Sequence, residues 1–128
     1  MKDTAMRIVL IDDDELTRET LQEVLESAGY EVDAAPEGGA GLARCKEQSP
    51  DLVITDLIMP GKEGMETIVE LRRDFPAVPI IAISGGSRIG PGSYLHTAVK
   101  LGASSGLEKP FSPGMLLDVV QTTLNLQP

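Results

Sequence analysis

The sequence predicts a doubly wound α/β fold, with helices on both faces of a five-stranded parallel sheet. Short runs of Val, Ile and Leu alternate with longer stretches in which apolar residues recur at helical spacing. Strands that are apolar on both sides are typical of parallel sheets, because helices cover both faces. Helix boundary signals separate the stretches: Gly29 and Gly102 each follow a helical stretch, and Ser112-Pro113 is typical of a helix start.

Each strand is predicted from an apolar run and each helix from the stretch that follows it. The predicted strands are 8–11, 32–35, 52–55, 79–83 and 104–107. The first helix ends before Gly29, and the others cover about 36–48, 65–73, about 93–101, and the stretch from 113 onward. The last helix has an apolar face that we assign to Met115, Leu116, Val119, Val120 and Leu124.

Composition narrows the classes of function. The chain has 128 residues, 3% aromatic residues and a formal net charge of −9, so we expect an aliphatic core and no binding to nucleic acid through phosphate contacts. The single cysteine, Cys45, cannot form an internal disulfide. No run is long enough to span a membrane and no signal segment precedes the first strand. We expect a cytoplasmic protein without an attached output domain.

Polar side chains that carry chemistry stand where the predicted strands end. Asp12-Asp13-Asp14 follows the first strand, Asp56 the third, Ser84 the fourth and Lys109 the fifth. In open parallel sheets, ligands bind outside the carboxyl ends of the strands. We therefore expect carboxylates, a hydroxyl and an ammonium to meet at one edge of the sheet.

This set of residues favours a hard divalent cation. Several carboxylates crowded at one edge repel each other, and a cation with oxygen ligands relieves that repulsion. Mg²⁺ fits, because it takes only one or two carboxylates and leaves room for a phosphate oxygen. We assign Asp12 and Asp13 to the metal. Asp14 and Glu15 are explained by helix capping and the helix dipole.

Phosphoryl transfer to a carboxylate is the chemistry that uses all of these groups. An anion must attack another anion, so cations have to screen the repulsion and donors have to hold the transferring oxygens. Lys109 supplies a second cation and Ser84 a hydroxyl donor. The alternative explanation of Lys109 is a surface lysine, although the Pro110 that follows favours a specific backbone turn. Taken singly, Ser84 is also well explained as the hydroxyl that begins a loop.

Four motifs in order resemble the receiver domains of two-component response regulators. They are Val9-Leu10-Ile11-Asp12-Asp13-Asp14, Asp51 to Gly61 with Asp56 inside it, Ile81-Ala82-Ile83-Ser84, and Lys109-Pro110-Phe111. The resemblance covers almost the whole chain. It implies one receiver domain over 1–128 with a core of about 6–125. It also implies a flavodoxin-like fold with strand order 2-1-3-4-5.

The resemblance also implies a mechanism. Asp56 would accept a phosphoryl group from a histidine kinase or histidine phosphotransfer protein and would pass the signal to an unknown protein target. Asp13 would ligate Mg²⁺ directly and Asp12 through water. Asp56 and the Ile58 backbone carbonyl would complete the protein ligands. Ser84 and Lys109 would contact the phosphoryl group, and Lys109–Pro110 would be cis. Such a chain is not a conventional enzyme, but it would catalyse its own phosphorylation and dephosphorylation.

Two departures from the family pattern concern how the signal is read out. Gly106 stands where the family usually has an aromatic switch residue, and the loop Gly85–Gly92 after Ser84 is long and rich in glycine. The usual movement of a ring beside Ser84 therefore cannot occur. We expect this loop and the helix that follows, near Tyr94, to respond to phosphorylation instead.

Three alternatives stay open from the sequence alone. A haloacid-dehalogenase-type phosphatase would use Asp12 as its nucleophile, but it leaves Asp56 unexplained. A flavin-binding protein of the same fold would need backbone donors after the first strand, and three aspartates stand there instead. A receiver-like binding module that is never phosphorylated would have no need of the intact set Asp12, Asp13, Asp56 and Lys109.

Overall fold

The structure is a computed structural model of the 128-residue chain, and it describes residues 5–57, 64–85 and 97–125. Three of the sequence predictions fall outside these ranges. They concern the Ile58 carbonyl as a metal ligand, the loop after Gly85, and the helix start near Tyr94. Within the described ranges, no helix combines the length and apolar character needed to cross a bilayer.

Strands and helices alternate along the described chain, as predicted. The strands are β1 Arg7–Ile11, β2 Glu31–Ala35, β3 Leu52–Asp56, β4 Ile80–Gly85 and β5 Ser105–Lys109. The helices are α1 Glu15–Ser27, α2 Gly38–Glu47, α3 Gly64–Asp74, α4, which is helical over 97–101, and α5 Pro113–Asn125. All strand pairs are parallel and the order is β2-β1-β3-β4-β5. The predicted fold class and strand order are confirmed.

Two apolar layers hold the helices to the sheet, because residues of each central strand alternate between its faces. On one face, Val9, Ile11 and Val53 pack with residues of α2, α3 and α4, including Leu42, Ile68, Leu71 and Ala98. On the other face, Ile8, Leu10 and Ile54 pack with residues of α1 and α5, including Leu21, Leu25, Leu116 and Val120. Helices therefore cover both faces, and the carboxyl ends of the strands form one common edge.

The helix boundary signals in the sequence are largely confirmed. Gly29 and Gly102 have positive φ values of 100° and 133°, a region that glycine adopts without a steric penalty. The Ser112 hydroxyl accepts a hydrogen bond from the Met115 backbone N–H at 3.1 Å, as expected of a residue that caps α5. The assignment of Met115 to the apolar face is wrong, since this residue is 51% exposed in the first turn of α5.

Candidate functional site

Three carboxylates meet at the carboxyl ends of β1 and β3. One carboxylate oxygen from each of Asp12, Asp13 and Asp56 lies within 4.8 Å of the others. The register explains the meeting, since Ile11 of β1 pairs with Thr55 of β3 and an acid follows each of these two residues in the chain. Asp12 is 1% exposed and Asp56 6% exposed, whereas Asp13 faces solvent. The predicted acidic cluster is therefore present.

Lys109 reaches this cluster from the end of β5. Its Nζ lies 3.4 Å from Asp12 Oδ2 and 3.7 Å from Asp56 Oδ2. β4 lies between β3 and β5, so the lysine stem spans the end of that strand to bring its charge to the two acids. The Lys109–Pro110 peptide bond is cis, as predicted. A surface lysine without a role would not be expected to contact two acids on other strands.

Ser84 lies at the same edge, in β4 beside β3. Its neighbour Ile83 pairs with Asp56 in the sheet register. The Ser84 side chain is fully buried, and its Oγ has no hydrogen-bond partner in the described part of the chain. A buried hydroxyl without a partner costs about 1–3 kcal/mol. A ligand that brings an acceptor oxygen to this hydroxyl would remove that cost.

The turn between β1 and α1 orients the acids. Asp12 Oδ1 accepts a hydrogen bond from the Asp14 backbone N–H at 2.9 Å, and Arg18 donates to the Asp12 carbonyl at 2.8 Å. Asp12 is thus held through its side chain and its backbone, while Asp13 points outward. The role of Arg18 was not predicted. The signal in the sequence was an arginine within two helical turns of the acids, where it can fold back onto their backbone.

Asp14 caps α1, as predicted. Its carboxylate accepts hydrogen bonds from the Thr17 hydroxyl at 2.6 Å and the Thr17 backbone N–H at 2.9 Å. These two bonds hold the pKa of Asp14 below its usual value, because they stabilise the ionised carboxylate. Asp14 is therefore set apart from the acidic cluster by having a structural task of its own.

Replacing Asp14 with Ala is expected to lower the melting temperature by a few degrees, because the first turn of α1 loses its cap. Since folding lowers the pKa of Asp14, its stabilising effect is present above the ordinary carboxyl pKa. The effect is lost as the pH falls through the lowered value. Thermal melts of both proteins from pH 7 to pH 2.5 test this. Asp14→Asn should keep most of the stability at neutral pH. A difference in melting temperature between wild type and Asp14→Ala that grows on acidification would contradict the assignment.

The acidic cluster has the composition of a site for a hard divalent cation. Two of its carboxylates are almost fully buried, and Lys109 offsets only part of the negative charge of the three. Buried charges of one sign are unfavourable unless a counter-charge is bound close to them. Carboxylate oxygens are ligands that Mg²⁺ and Ca²⁺ prefer. The residues present therefore fit a divalent cation.

Gly106 lies in the edge strand β5, where it pairs with Ala82 of β4. It is exposed and carries no side chain. Gly106 lies three residues before Lys109 in β5, so the folded chain has a glycine where receiver domains usually have an aromatic residue. No ring can therefore extend from this point of β5 toward Ser84.

Comparisons with known proteins agree with the fold and with the order of the motifs. The profile of the response regulator receiver domain matches residues 8–121. A chemotaxis protein CheY of Bacillus subtilis is 34% identical over 122 residues, which is 94% of this chain and 99% of that protein. The C4-dicarboxylate transport transcriptional regulatory protein DctD of Pseudomonas aeruginosa is 34% identical over 98% of this chain, and the match spans 26% of that protein.

One solved structure is similar over almost the whole length of this chain. The receiver domain of NtrX from Brucella abortus superposes with a TM-score of 0.88 at 27% identity. The superposition covers 94% of this chain and 99% of that domain.

Proposed function

Because the chain belongs to the response regulator receiver domain family, with residues 8–121 matching its profile, we propose that it accepts a phosphoryl group on Asp56. The donor would be the phosphohistidine of a histidine kinase or of a histidine phosphotransfer protein. We further propose that residues 1–128 form one receiver domain, with a core of about 6–125, and that it acts in the cytoplasm on a protein target rather than on nucleic acid.

The observation that carries the proposal is the position of Lys109. Its ammonium lies 3.7 Å from the Asp56 carboxylate and 3.4 Å from the Asp12 carboxylate, although any two of these three residues are at least 44 positions apart in the sequence. A cation at this point neutralises part of the charge that an incoming phosphoryl group would meet. Repulsion between the Asp56 carboxylate and an incoming anion is the main obstacle to phosphorylating a carboxylate, and this cation lowers that repulsion.

In the proposed reaction, a carboxylate oxygen of Asp56 attacks the phosphorus of the donor. A new oxygen–phosphorus bond forms and the bond to the imidazole nitrogen breaks, with the electron pair leaving on the imidazole. The Lys109 ammonium donates a hydrogen bond to one phosphoryl oxygen. The Ser84 hydroxyl, which has no partner among the described residues, donates to another. In dephosphorylation, a water oxygen attacks the same phosphorus, the bond between phosphorus and the Asp56 oxygen breaks, and inorganic phosphate leaves with the Asp56 carboxylate restored.

Asp13, Asp12 and Asp56 would hold Mg²⁺ in the proposed site, with Asp13 as the direct ligand from the β1–α1 turn and Asp12 acting through water. The Ile58 carbonyl is a further proposed ligand. When bound, the ion screens the negative charge of the phosphoryl oxygens and of the acids around them. Asp12 is held by Asp14 and Lys109, so it presents a fixed charge. Asp13 is exposed and can reach outward.

The phosphatase alternative suits these contacts less well. Asp12 would be its nucleophile, but Asp12 Oδ1 accepts from the Asp14 N–H and Asp12 Oδ2 faces Lys109. With one oxygen committed to the backbone and the residue only 1% exposed, an attacking role is unfavourable. Asp56 is the more accessible of the two buried acids and also lies beside the lysine.

A surface next to Lys109 offers a place for the protein donor to dock. It lies between α1 and the segment after β5, and it is lined by Leu16, Thr17, Thr20, Leu21, Lys109, Pro110 and Phe111. Leu16 is 72% exposed on the first turn of α1. Leu16 and Phe111 both border this surface beside Lys109, and adjoining apolar side chains next to the proposed site would suit a contact with another protein.

Replacing Leu16 with Asp is expected to slow transfer from a phosphorylated histidine phosphotransfer protein by about 10-fold or more, since apolar contact area is lost and a charge enters the contact. Phosphorylation by a small phosphodonor should be unchanged, because Leu16 is apolar and carries none of the groups of the proposed site, whose acids are Asp12, Asp13 and Asp56. Val69→Asp is the matched control, since Val69 is 45% exposed on α3, on the opposite face of the sheet. Equal slowing with both donors would show that Leu16 acts on the site and not on docking.

The proposal itself is tested by intact mass spectrometry after incubation with a small phosphodonor and Mg²⁺. The expected result is a gain of one phosphoryl group that requires Mg²⁺ and maps to the peptide containing Asp56. A protein that gains none with several donors would refute the proposed function. Continuous turnover of a phosphomonoester, without a stable phosphorylated form, would favour the phosphatase alternative.

The readout is proposed to run through the loop and helix after Ser84, since no ring extends from Gly106. The hydroxyl of Ser84 is the group through which a phosphoryl oxygen would act on this segment. A phosphoryl group can shift the segment only through contacts that differ between its arrangements. Amide hydrogen exchange with and without beryllofluoride should therefore change after Ser84, and Ser84→Ala should remove the change.

A further inference from the structure

Gly64 lies against the backbone of the proposed phosphoacceptor. It is the first residue of α3 and is buried. A Cβ built on Gly64 would stand closer than 3.0 Å to the Asp56 carbonyl oxygen and to the Cα and carbonyl carbon of Leu57. All three are backbone atoms, so no rotation of a neighbouring side chain would relieve the contact. Only a glycine fits this arrangement of α3 and β3.

Gly64 also forms a backbone hydrogen bond to Leu57, the residue that follows Asp56. The Gly64 N–H donates to the Leu57 carbonyl at 3.2 Å, while the Leu57 N–H donates to the Ile83 carbonyl of β4 at 2.9 Å. The backbone just after Asp56 is thus held by β4 on one side and by the start of α3 on another. A displacement of α3 at Gly64 would be transmitted directly to the last residue of β3.

Such a displacement would affect the reaction rate, because the Asp56 carboxylate lies close to the other charged groups of the site. The Asp56 carboxylate lies 3.7 Å from Lys109 Nζ and within 4.8 Å of the oxygens of Asp12 and Asp13. A misplacement of about 1 Å in a reacting group can cost on the order of 10²-fold in rate. Movement of the Asp56 backbone on the scale of the Gly64 clash would change all of these distances together.

We propose that Gly64 is a positioning residue for phosphorylation: its missing side chain lets α3 set the backbone of Asp56, and hence the placement of its carboxylate against Lys109 and Asp13. This inference rests on the proposed role of Asp56. Gly64 touches neither the donor nor the cation, and it acts through the backbone of Asp56 and Leu57.

Gly64→Ala is the test, measured at low temperature and with sucrose added to favour the folded state. We expect it to raise the Mg²⁺ dissociation constant at least about 5-fold and to lower the maximal phosphorylation rate at saturating donor and Mg²⁺ at least about 10-fold. The Mg²⁺ titration on the unphosphorylated protein is a readout that loss of stability alone would not move while the chain stays folded.

Two glycine variants serve as matched controls. Gly29→Ala introduces strain at a positive φ but has no atom within 4 Å of its Cβ, and Gly114→Ala places a methyl group in the first turn of α5 with 3.8 Å to its nearest neighbour. Gly29→Ala should lower the melting temperature while Mg²⁺ affinity and rate stay within about 2-fold of wild type. Gly114→Ala should leave all three close to wild type.

Each outcome decides the inference. It is overturned if Gly64→Ala melts lower but keeps its Mg²⁺ affinity and rate. It is also overturned if Gly29→Ala loses as much, or if Gly64→Ala does not fold even in sucrose, since Gly64 would then act on folding. If the wild type itself takes no phosphoryl group, the proposed function has failed. If the wild type is phosphorylated and Gly64→Ala is equally fast, only this inference has failed.

Discussion

Replacing Asp56 with Asn is expected to abolish the Mg²⁺-dependent gain of a phosphoryl group, a loss of at least ~10³-fold in rate. Asn has nearly the shape of Asp, but its amide has no negatively charged oxygen to attack phosphorus. The variant should fold, because it removes a buried charge from a cluster of acids. Intact mass after incubation with a small phosphodonor measures the effect directly.

A matched control separates the nucleophile from a general loss of charge. Asp118 is an exposed acid on α5 that does not belong to the acidic cluster. Asp118→Asn removes the same charge and should be phosphorylated at the wild-type rate. If Asp56→Asn still gains one phosphoryl group at a comparable rate, another acid is the acceptor, and Asp13, the exposed member of the cluster, would be the first to map.

Much of the fold was predictable because the central strands are buried on both faces. The run Ile8-Val9-Leu10-Ile11 can be accommodated only where helices cover both sides of a strand. The weakest strand in the sequence, around Ser105, proves to be β5 at the edge of the sheet. There the Ser105 hydroxyl shares a hydrogen bond of 3.0 Å with the Thr123 hydroxyl, and Leu107 is the one residue of β5 that is buried. An edge strand needs fewer apolar residues, which explains its weak pattern.

The position of the site's acids was predictable, because each acid follows an apolar run. The separate role of each acid was predictable only in part. Capping by Asp14 follows from a general rule for helix starts. The bond from Arg18 to the Asp12 carbonyl depends on how α1 leaves the sheet. The close approach of Gly64 to Asp56 depends on how the chain returns from β3. Local sequence patterns do not encode such contacts between elements.

Removing Asp13 is expected to have two opposite effects. Asp13→Asn should raise the Mg²⁺ dissociation constant by at least about 10-fold, since a charged ligand oxygen is lost from the site. Without Mg²⁺, the same variant should be more stable than wild type. At 4.8 Å, two carboxylates repel by roughly 1–3 kcal/mol for effective dielectric constants of about 80 to 20. Relief of part of that repulsion should raise the melting temperature by about 2–6 °C.

Mg²⁺ should reverse the order of the two proteins. A ligand that binds only the folded state adds about 2.7 kcal/mol at 100 times its dissociation constant. Wild type should gain this stabilisation, while Asp13→Asn, with a dissociation constant at least about 10-fold higher, should gain no more than about 1.4 kcal/mol at the same Mg²⁺ concentration. Thermal melts with and without Mg²⁺ give both quantities, and Na⁺ at equal ionic strength controls for general screening of the acids.

Asp14→Asn is the closest control for Asp13→Asn, because it removes the same charge one residue further along the turn. Asn at this position can still accept from the Thr17 N–H, so the cap of α1 is retained. Asp14 does not belong to the cluster of converging carboxylates, so its variant should keep nearly wild-type Mg²⁺ affinity. If Asp14→Asn loses Mg²⁺ binding while Asp13→Asn keeps it, the ligand assignment is wrong. If Mg²⁺ does not raise the wild-type melting temperature, the acids serve no cation.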